Sequence, residues 1–324
     1  MREIKIKKNE SNQRIDRFLK KYLAKASQGF IYKMIRKKNI KLNNKRVNPE
    51  DIIREGDIIQ LFFSEETIEK FLIDKEEIKL PIIPRIIYED NNIILVNKSK
   101  GVLSHSDKKG YEDNIVDEII GYLHRKGEYN PNLETTFTPS ICNRLDRNTS
   151  GIIIGAKNFS SLQIINESIK NGDIKKFYIC MVKGEVEGDF LLKGYLIKDE
   201  GKNKVEVYKN KVEGSKEIIT DIKLLKKEKG YSFLEIQLIT GRTHQIRAHL
   251  SSIGYPLVGD TKYGSNSVNK RFREEYGLNS QFLYAHKIIF NGLSHPLEYL
   301  NGKEFTAKGG KVLEKIEREW KCEY

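Results

Sequence analysis

The stretch Asn143-Arg144-Leu145-Asp146-Arg147-Asn148-Thr149-Ser150-Gly151 decides how this chain is read. It sets one carboxylate between two arginines, closes on a hydroxyl-rich turn and runs directly into the apolar segment Ile152-Ile153-Ile154. A short apolar run behind turn residues reads as a buried strand. The loop is therefore expected to hold Asp146 at the edge of a folded core, where chemistry tends to sit. A lone Asp in a polar loop is more often a turn residue or a cap; two segments downstream shift that balance.

The first, Lys175-Lys176-Phe177-Tyr178-Ile179-Cys180-Met181-Val182-Lys183-Gly184, is rich in aromatic and β-branched residues and closes on Gly, so it reads as a strand. The second, Thr240-Gly241-Arg242-Thr243-His244-Gln245-Ile246-Arg247-Ala248-His249-Leu250, follows a partly alternating strand (Phe233, Leu234, Ile236, Leu238) and turns into a short helix ending near Gly254. On that helix Thr243 and Arg247, four apart, are expected to share a face.

An Asp loop, a Tyr strand and an Arg helix in this order resemble the pseudouridine synthases of the RluA superfamily, whose motifs read approximately HRLDxxTSG, KxYxAxVxG and TGRxHQIRxH. Asn97-Lys98-Ser99-Lys100-Gly101 resembles the family's NKPxG, and Gly259-Asp260 through Tyr263-Gly264 and Leu283-Tyr284-Ala285-His286 match later landmarks. The resemblance covers roughly residues 85 to 310. The chain departs from the pattern at Asn143 (usually His), Ser99 (usually Pro, so φ is freed) and Cys180 (commonly Ala); none of these removes a group the chemistry requires.

The resemblance implies conversion of uridine to pseudouridine, with Asp146 as nucleophile or base at the sugar. A carboxylate in a closed pocket needs a fixed cation to stay ionised, and the resemblance assigns that part to Arg247. It also sets Tyr178 against the flipped base, where the ring stacks and the hydroxyl could help remove the carbon 5 proton; the alternative is a plain core tyrosine. Arg144 could fill the gap left by the extruded uridine or contact phosphate. Arg242 and His244 join it as candidate RNA contacts.

Residues 1 to 60 hold 17 Lys and Arg against 7 Asp and Glu, so +10 of the chain's +13 lies in less than a fifth of its length. Such asymmetry indicates an anionic partner. Arg14 and Arg17 open an amphipathic helix with Ile15, Phe18, Leu19 and Tyr22 on its apolar side. A second helix from about Ser27 turns Ile31, Met34 and Ile35 inward and Lys33, Arg36, Lys37 and Lys38 outward. With a hairpin at 40–47 and a strand at 56–61, the order resembles the ribosomal-protein S4-type RNA-binding domain, whose basic helix lies on RNA.

The expected architecture is an S4-like RNA-binding domain over 1–64, a charged linker over 65–84 containing Pro81 and Pro84, and a pseudouridine synthase catalytic domain over 85–324. Many short strand signals among few helices make the catalytic domain α+β with a mixed or antiparallel sheet, beside a small N-terminal α/β module. The resemblance supplies eight strands around an RNA cleft. The N-terminal module draws it towards the RluC and RluD branches, which act on large-subunit ribosomal RNA; transfer RNA or another structured RNA is the alternative substrate.

No cofactor is expected, because the isomerisation adds and removes no atoms. No metal is expected either, since the six histidines form no HxH or HxxxH pair with a matching carboxylate. Three scattered cysteines suit reduced thiols, and the chain shows neither a signal-type leader nor an apolar run of membrane-spanning length. A cytoplasmic monomer without membrane or small-molecule partners is the expectation. A non-catalytic RNA-binding protein would not need Asp146, Tyr178 and Arg247 together. A glycosidase normally needs two carboxylates at a set separation, and neither GxxxxGK[ST] nor GxGxxG appears for a nucleotide-binding enzyme.

Overall fold

The computed structural model describes residues 1–72, 82–106, 113–199, 201 and 204–322, so Pro81 and the middle of the expected linker lie outside the described residues. The first unit contains β1 (Arg2–Lys5), β2 (Gln13–Arg14), α1 (Ile15–Tyr22), α2 (Gln28–Arg36), β3 (Ile40–Leu42), β4 (Lys45–Arg46), β5 (Ile52–Ile53), β6 (Ile58–Leu61) and α3 (Glu65–Phe71). Its sheet runs β1-β6-β3-β4, with β2 and β5 as a separate ladder.

Helix α1 forms because Ile15, Phe18 and Leu19 recur on one face, and all three are fully buried. Each such side chain contributes about 1.5–3 kcal/mol on leaving water. Helix α2 is capped by Ser27, whose hydroxyl accepts from Phe30 N at 3.1 Å, and buries Ile31 and Ile35. Lys33, Arg36, Lys37 and Lys38 stay exposed.

Helix α3 corrects the domain boundary expected from sequence. Ser64 caps it by accepting from Thr67 N at 3.3 Å, Ile68 is fully buried in the first unit's core, and the Phe71 ring lies 4.6 Å from that of Phe30. The acidic surface of 65–71 hid an apolar stripe at helical spacing, which is enough to dock one short helix.

The second unit contains β7 (Ile86–Glu89), β8 (Ile93–Lys98), α4 (Ile115–Arg125), β9 (Ser140–Ile141), β10 (Ser150–Ala156), α5 (Phe159–Asn171), β11 (Ile174–Lys183), β12 (Phe190–Asp199), β13 (Lys204–Tyr208), β14 (Lys216–Glu228), β15 (Tyr231–Leu238), α6 (Gln245–Ser252), α7 (Asn266–Tyr276), β16 (Leu283–Phe290), β17 (Glu304–Thr306) and α8 (Lys311–Glu319). One mixed sheet takes the order β13-β12-β14-β15-β11-β16-β10-β8-β7, with β17 on β16 and β9 on β10. It holds eleven described strands where the resemblance implied eight.

The junction of β10 and β16 is parallel, with Ser150 opposite Tyr284 and Gly151 opposite Ala285. Gly151 has a φ of 113°, and a Cβ there would lie 2.2 Å from Ala285 O, so only glycine lets the two strands meet. This junction anchors the Asp146 loop to the middle of the sheet. The two units touch through Glu10, which is fully buried and accepts from Thr135 N at 3.1 Å, and through Gln163, which donates to Asn12 O at 3.4 Å. Among the described residues no helix is long and apolar enough to cross a membrane.

Candidate active site

The backbone on either side of Asp146 is tied to the segment that leaves β8. Ser104 Oγ donates to Leu145 O at 2.8 Å and accepts from Leu145 N at 3.0 Å. Arg147 O accepts from Lys98 Nζ at 3.0 Å and from Gly101 N at 2.9 Å. Lys98 is fully buried, and its ammonium also reaches Ser99 O and Val102 O at 3.1 and 2.7 Å. Burial draws its pKa down to about 8, with Asp146 and Glu118 opposing. Asn143 faces β10, donating to Ile152 O at 3.1 Å and accepting from Ile154 N at 2.8 Å. It pins the loop to the strand that follows it.

The turn before α6 is braced against β14. Gln245 accepts from Arg242 N at 3.0 Å and donates to Ile219 O and Thr220 Oγ1, each at 3.1 Å. His244 takes the left-handed conformation (φ 53°) that starts the helix, an uncommon state for a residue with a Cβ. Thr243 therefore precedes the helix and lies exposed rather than sharing a face with Arg247, because the chain must turn at His244 before helical geometry begins. His249 is structural: it is buried, its Nδ1 is 2.9 Å from Thr220 Oγ1, and burial lowers its pKa to about 4.

Arg247 sits in the first turn of α6, buried, and meets the loop carboxylate. Its Nη1 donates to Asp146 Oδ2 at 2.8 Å, while Nε and Nη2 donate to the two oxygens of Asp260 at 2.7 and 3.0 Å. Asp260 is fully buried and also accepts from Lys262 N and Tyr263 N at 2.8 and 3.1 Å. Burial alone would raise the Asp260 pKa, but the Arg247 hydrogen bonds hold it below the ordinary value. Burial likewise works against the Arg247 charge, and the Asp260 hydrogen bonds and charge override it. The result is a carboxylate-guanidinium-carboxylate chain anchored at Asp260 and open at Asp146, whose side chain keeps 27% of its surface exposed.

Tyr178 stands on β11 opposite Ile236 of β15 and Ala285 of β16, in one core cluster with Leu145 of the Asp146 loop and Ile246 of α6. It is buried, and burial first, then Asp146, raises its phenol pKa; it stays protonated at neutral pH. His244 Nε2 lies 3.8 Å from Asp146 Oδ2, and its Nδ1 is 3.0 Å from Tyr263 Oη. Burial lowers the His244 pKa, and the Arg247 guanidinium rests 5.3 Å from the Tyr263 ring centroid. Arg144 and Arg242 are exposed.

In the first unit Arg17 is exposed, whereas Arg14 is held by Asp16 at 3.1 and 2.7 Å. Asp260, Tyr263 and Lys98 received no role from sequence reading, although Gly259-Asp260 and Asn97-Lys98 stood out in it. A carboxylate in a short Gly-flanked turn gives no sign of being fully buried. Among the described residues no three His, Cys, Asp or Glu side chains gather as a metal site.

The RNA pseudouridylate synthase family profile matches residues 92–252, and the S4 domain profile matches residues 13–59. An uncharacterised RNA pseudouridine synthase of Mycoplasma capricolum is 34% identical over 302 residues, spanning 92% of this chain and 94% of that protein. The chain belongs to the RNA pseudouridine synthase family. The ribosomal large subunit pseudouridine synthase C of Buchnera aphidicola (subsp. Baizongia pistaciae) is 33% identical to this enzyme over 89% of the chain and 88% of its own length. The ribosomal large subunit pseudouridine synthase D of Borreliella burgdorferi is 31% identical over 75% and 74%. The solved structure of human RNA Pseudouridylate Synthase Domain Containing 4 superposes with a TM-score of 0.58 at 19% identity, covering 74% of this chain and 94% of that one; the likeness is one of fold. As an RNA pseudouridine synthase, the enzyme is an isomerase that joins an S4 module to its catalytic domain.

Proposed function

We infer that this enzyme converts specific uridines of 23S ribosomal RNA to pseudouridine, in the cytoplasm, with Asp146 acting at the sugar of a flipped-out nucleotide. The reaction breaks the bond from C1′ to N1 and forms the bond from C1′ to C5; C5 gives up its proton and N1 ends protonated. Nothing is added or removed, so the protein needs only a group that acts at the ribose, a way to hold the free base while it turns, and a path for one proton.

The observation that carries this reading is the bridge by which Arg247 joins Asp146 to Asp260 beside Tyr178. A guanidinium locked by a buried carboxylate is a fixed cation, and it aims Asp146 while one side stays open to substrate. Tyr178, kept as a phenol, offers a ring for the base to lie on and a hydroxyl at the reacting face. Arg144 on the exposed shoulder of the loop is suited to the gap that the extruded uridine leaves. The large-subunit substrate is supported by relatives near 30% identity that match most of this chain and are named ribosomal large subunit pseudouridine synthase C, and by the S4 module with its exposed basic helix.

The test is to map pseudouridines in total RNA from cells with and without the gene. Loss of defined sites in 23S rRNA is the expected result; loss confined to transfer RNA would replace the substrate and keep the chemistry.

A further inference from the structure

Lys176 is a buried cation with no counter-charge among the described residues. It stands on β11 two residues before Tyr178 and opposite Ile288 of β16, and the pairing of the two strands shifts register between Phe177 and Tyr178. Its side chain reaches the turn that precedes α6. A methyl built on Gly241, in the turn that leads into α6, would lie 4.0 Å from Lys176 Nζ. The residue is 9% exposed, yet among the described residues its ammonium pairs with no carboxylate and donates to no carbonyl. Nor is it sealed in, since Nζ is not one of the fully buried nitrogens and oxygens that lack a partner. Its charge therefore keeps contact with solvent beside the turn into α6.

The buried Lys98 and the half-buried Lys157 show how this protein otherwise treats such a group. Lys98 is wrapped by three backbone carbonyls, and Lys157 pairs with Glu89 at 2.8 Å and with Glu128. Lys176 has neither arrangement, and burial draws its pKa below the ordinary value with no carboxylate pulling it back. An uncompensated buried ammonium costs stability. Such a cost at a functional face is retained when a ligand supplies the missing charge.

We propose that Lys176, with the adjacent Thr240-Gly241-Arg242 turn, forms a phosphate-binding site inside the cleft that takes a backbone phosphodiester of the RNA strand next to the target uridine. The inference rests on the reading that this cleft receives RNA. The small Gly241 leaves the ammonium open on that side, and Arg242 lies exposed one residue further on. A phosphate there would tether the strand beside Tyr178, fixing the flipped nucleotide from its backbone while Tyr178 and Asp146 engage base and sugar.

The test uses the full chain and a poly(uridylate) oligomer, with binding measured across a salt series, together with thermal unfolding. Lys176→Met is expected to weaken binding about tenfold and to reduce the log-log salt slope by about 0.7, the share of one neutralised phosphate in a single strand. Lys176→Arg should restore the slope. Because Lys176→Met removes an unpaired buried charge, its Tm should rise by about 2–4 °C; a lysine that merely supported the fold would lower it on removal. An unchanged salt slope in Lys176→Met, or a slope that Lys176→Arg fails to restore, would overturn the proposal. Binding is read without turnover, so failure of the enzyme to modify any RNA would count against the functional reading and leave this site still decided by its own assay.

Discussion

Arg247 gives two of its nitrogens to Asp260 and one to Asp146, so the residue nearest the proposed chemistry is fixed chiefly by a carboxylate that substrate never meets. Asp260 is fully buried while Asp146 keeps an open side. The two acids thus divide the work: one locks the cation, and the other is held ready by it.

Asp146→Asn keeps the shape of the loop and removes the charge proposed to act at the sugar. Turnover is expected to vanish while RNA binding persists, as read by pseudouridine formation and filter binding on one RNA. Near parental turnover in this variant would falsify the assigned role.

Arg247→Met leaves the fully buried Asp260 without its counter-cation. Breaking a buried pair in this way costs about 3–5 kcal/mol, so chemical denaturation should show a clear loss of stability alongside the loss of turnover. Arg247→Lys restores the charge but not the fork that reaches two carboxylates at once; it should recover part of the stability and little of the activity. Normal turnover in the Met variant would shift the role to another cation, with Arg144 and Arg242 as the candidates.

Asp260→Asn tests the anchor separately. Asn offers one acceptor where Arg247 needs two, so the guanidinium loses its fixed position and turnover should fall even though Asp146 and Tyr178 are intact. If Asp260→Asn denatures and turns over like the parent, the anchor is not needed.

Removal of residues 1–72 takes away the basic module together with α3. Binding to a ribosomal RNA fragment should weaken and its salt slope should flatten, by about 0.7 for each phosphate of single-stranded RNA that the module neutralises, while pseudouridine still forms at high RNA concentration. A cut at residue 64 instead leaves Ile68 and Phe71 without the core they pack into, and the stump should lower solubility. An unchanged salt slope would mean that the basic face of α2 does not touch RNA.

Glu317 sets a pH dependence of stability away from the site. Its carboxyl is buried, Tyr284 Oη donates to it at 2.7 Å, and burial, with Glu314 adding and Lys308 opposing, raises its pKa to about 8. A folded-state pKa above the unfolded value means that the folded chain holds the extra proton between roughly pH 4.5 and 8, so this group lowers stability as pH rises through that window. Glu317→Gln should abolish that part of the decline, and Tm measured from pH 5 to pH 9 should fall less steeply than in the parent. Parallel pH profiles for the two proteins would count against it.

The sequence by itself carried the order of the Asp loop, Tyr strand and Arg helix, the S4-like module and its basic helix, and the α+β class with a mixed sheet. Those features live in local patterns: alternation, helical spacing, turn residues and motif order. It also carried Arg247 as partner of Asp146, by resemblance. Only the tertiary structure decided what lies opposite each group. Asp260 looked like a turn acid because nothing local tells a carboxylate that it will be sealed beneath a helix one turn after His244. Residues 65–71 looked like linker because four charged side chains outweighed Ile68 and Phe71 until a core existed to receive them. Lys176 looked like one of many lysines, and its isolation depends on the absence of any carboxylate near it among the described residues. Burial and pairing are properties of the neighbours that the fold brings together, and a chain read residue by residue does not contain them.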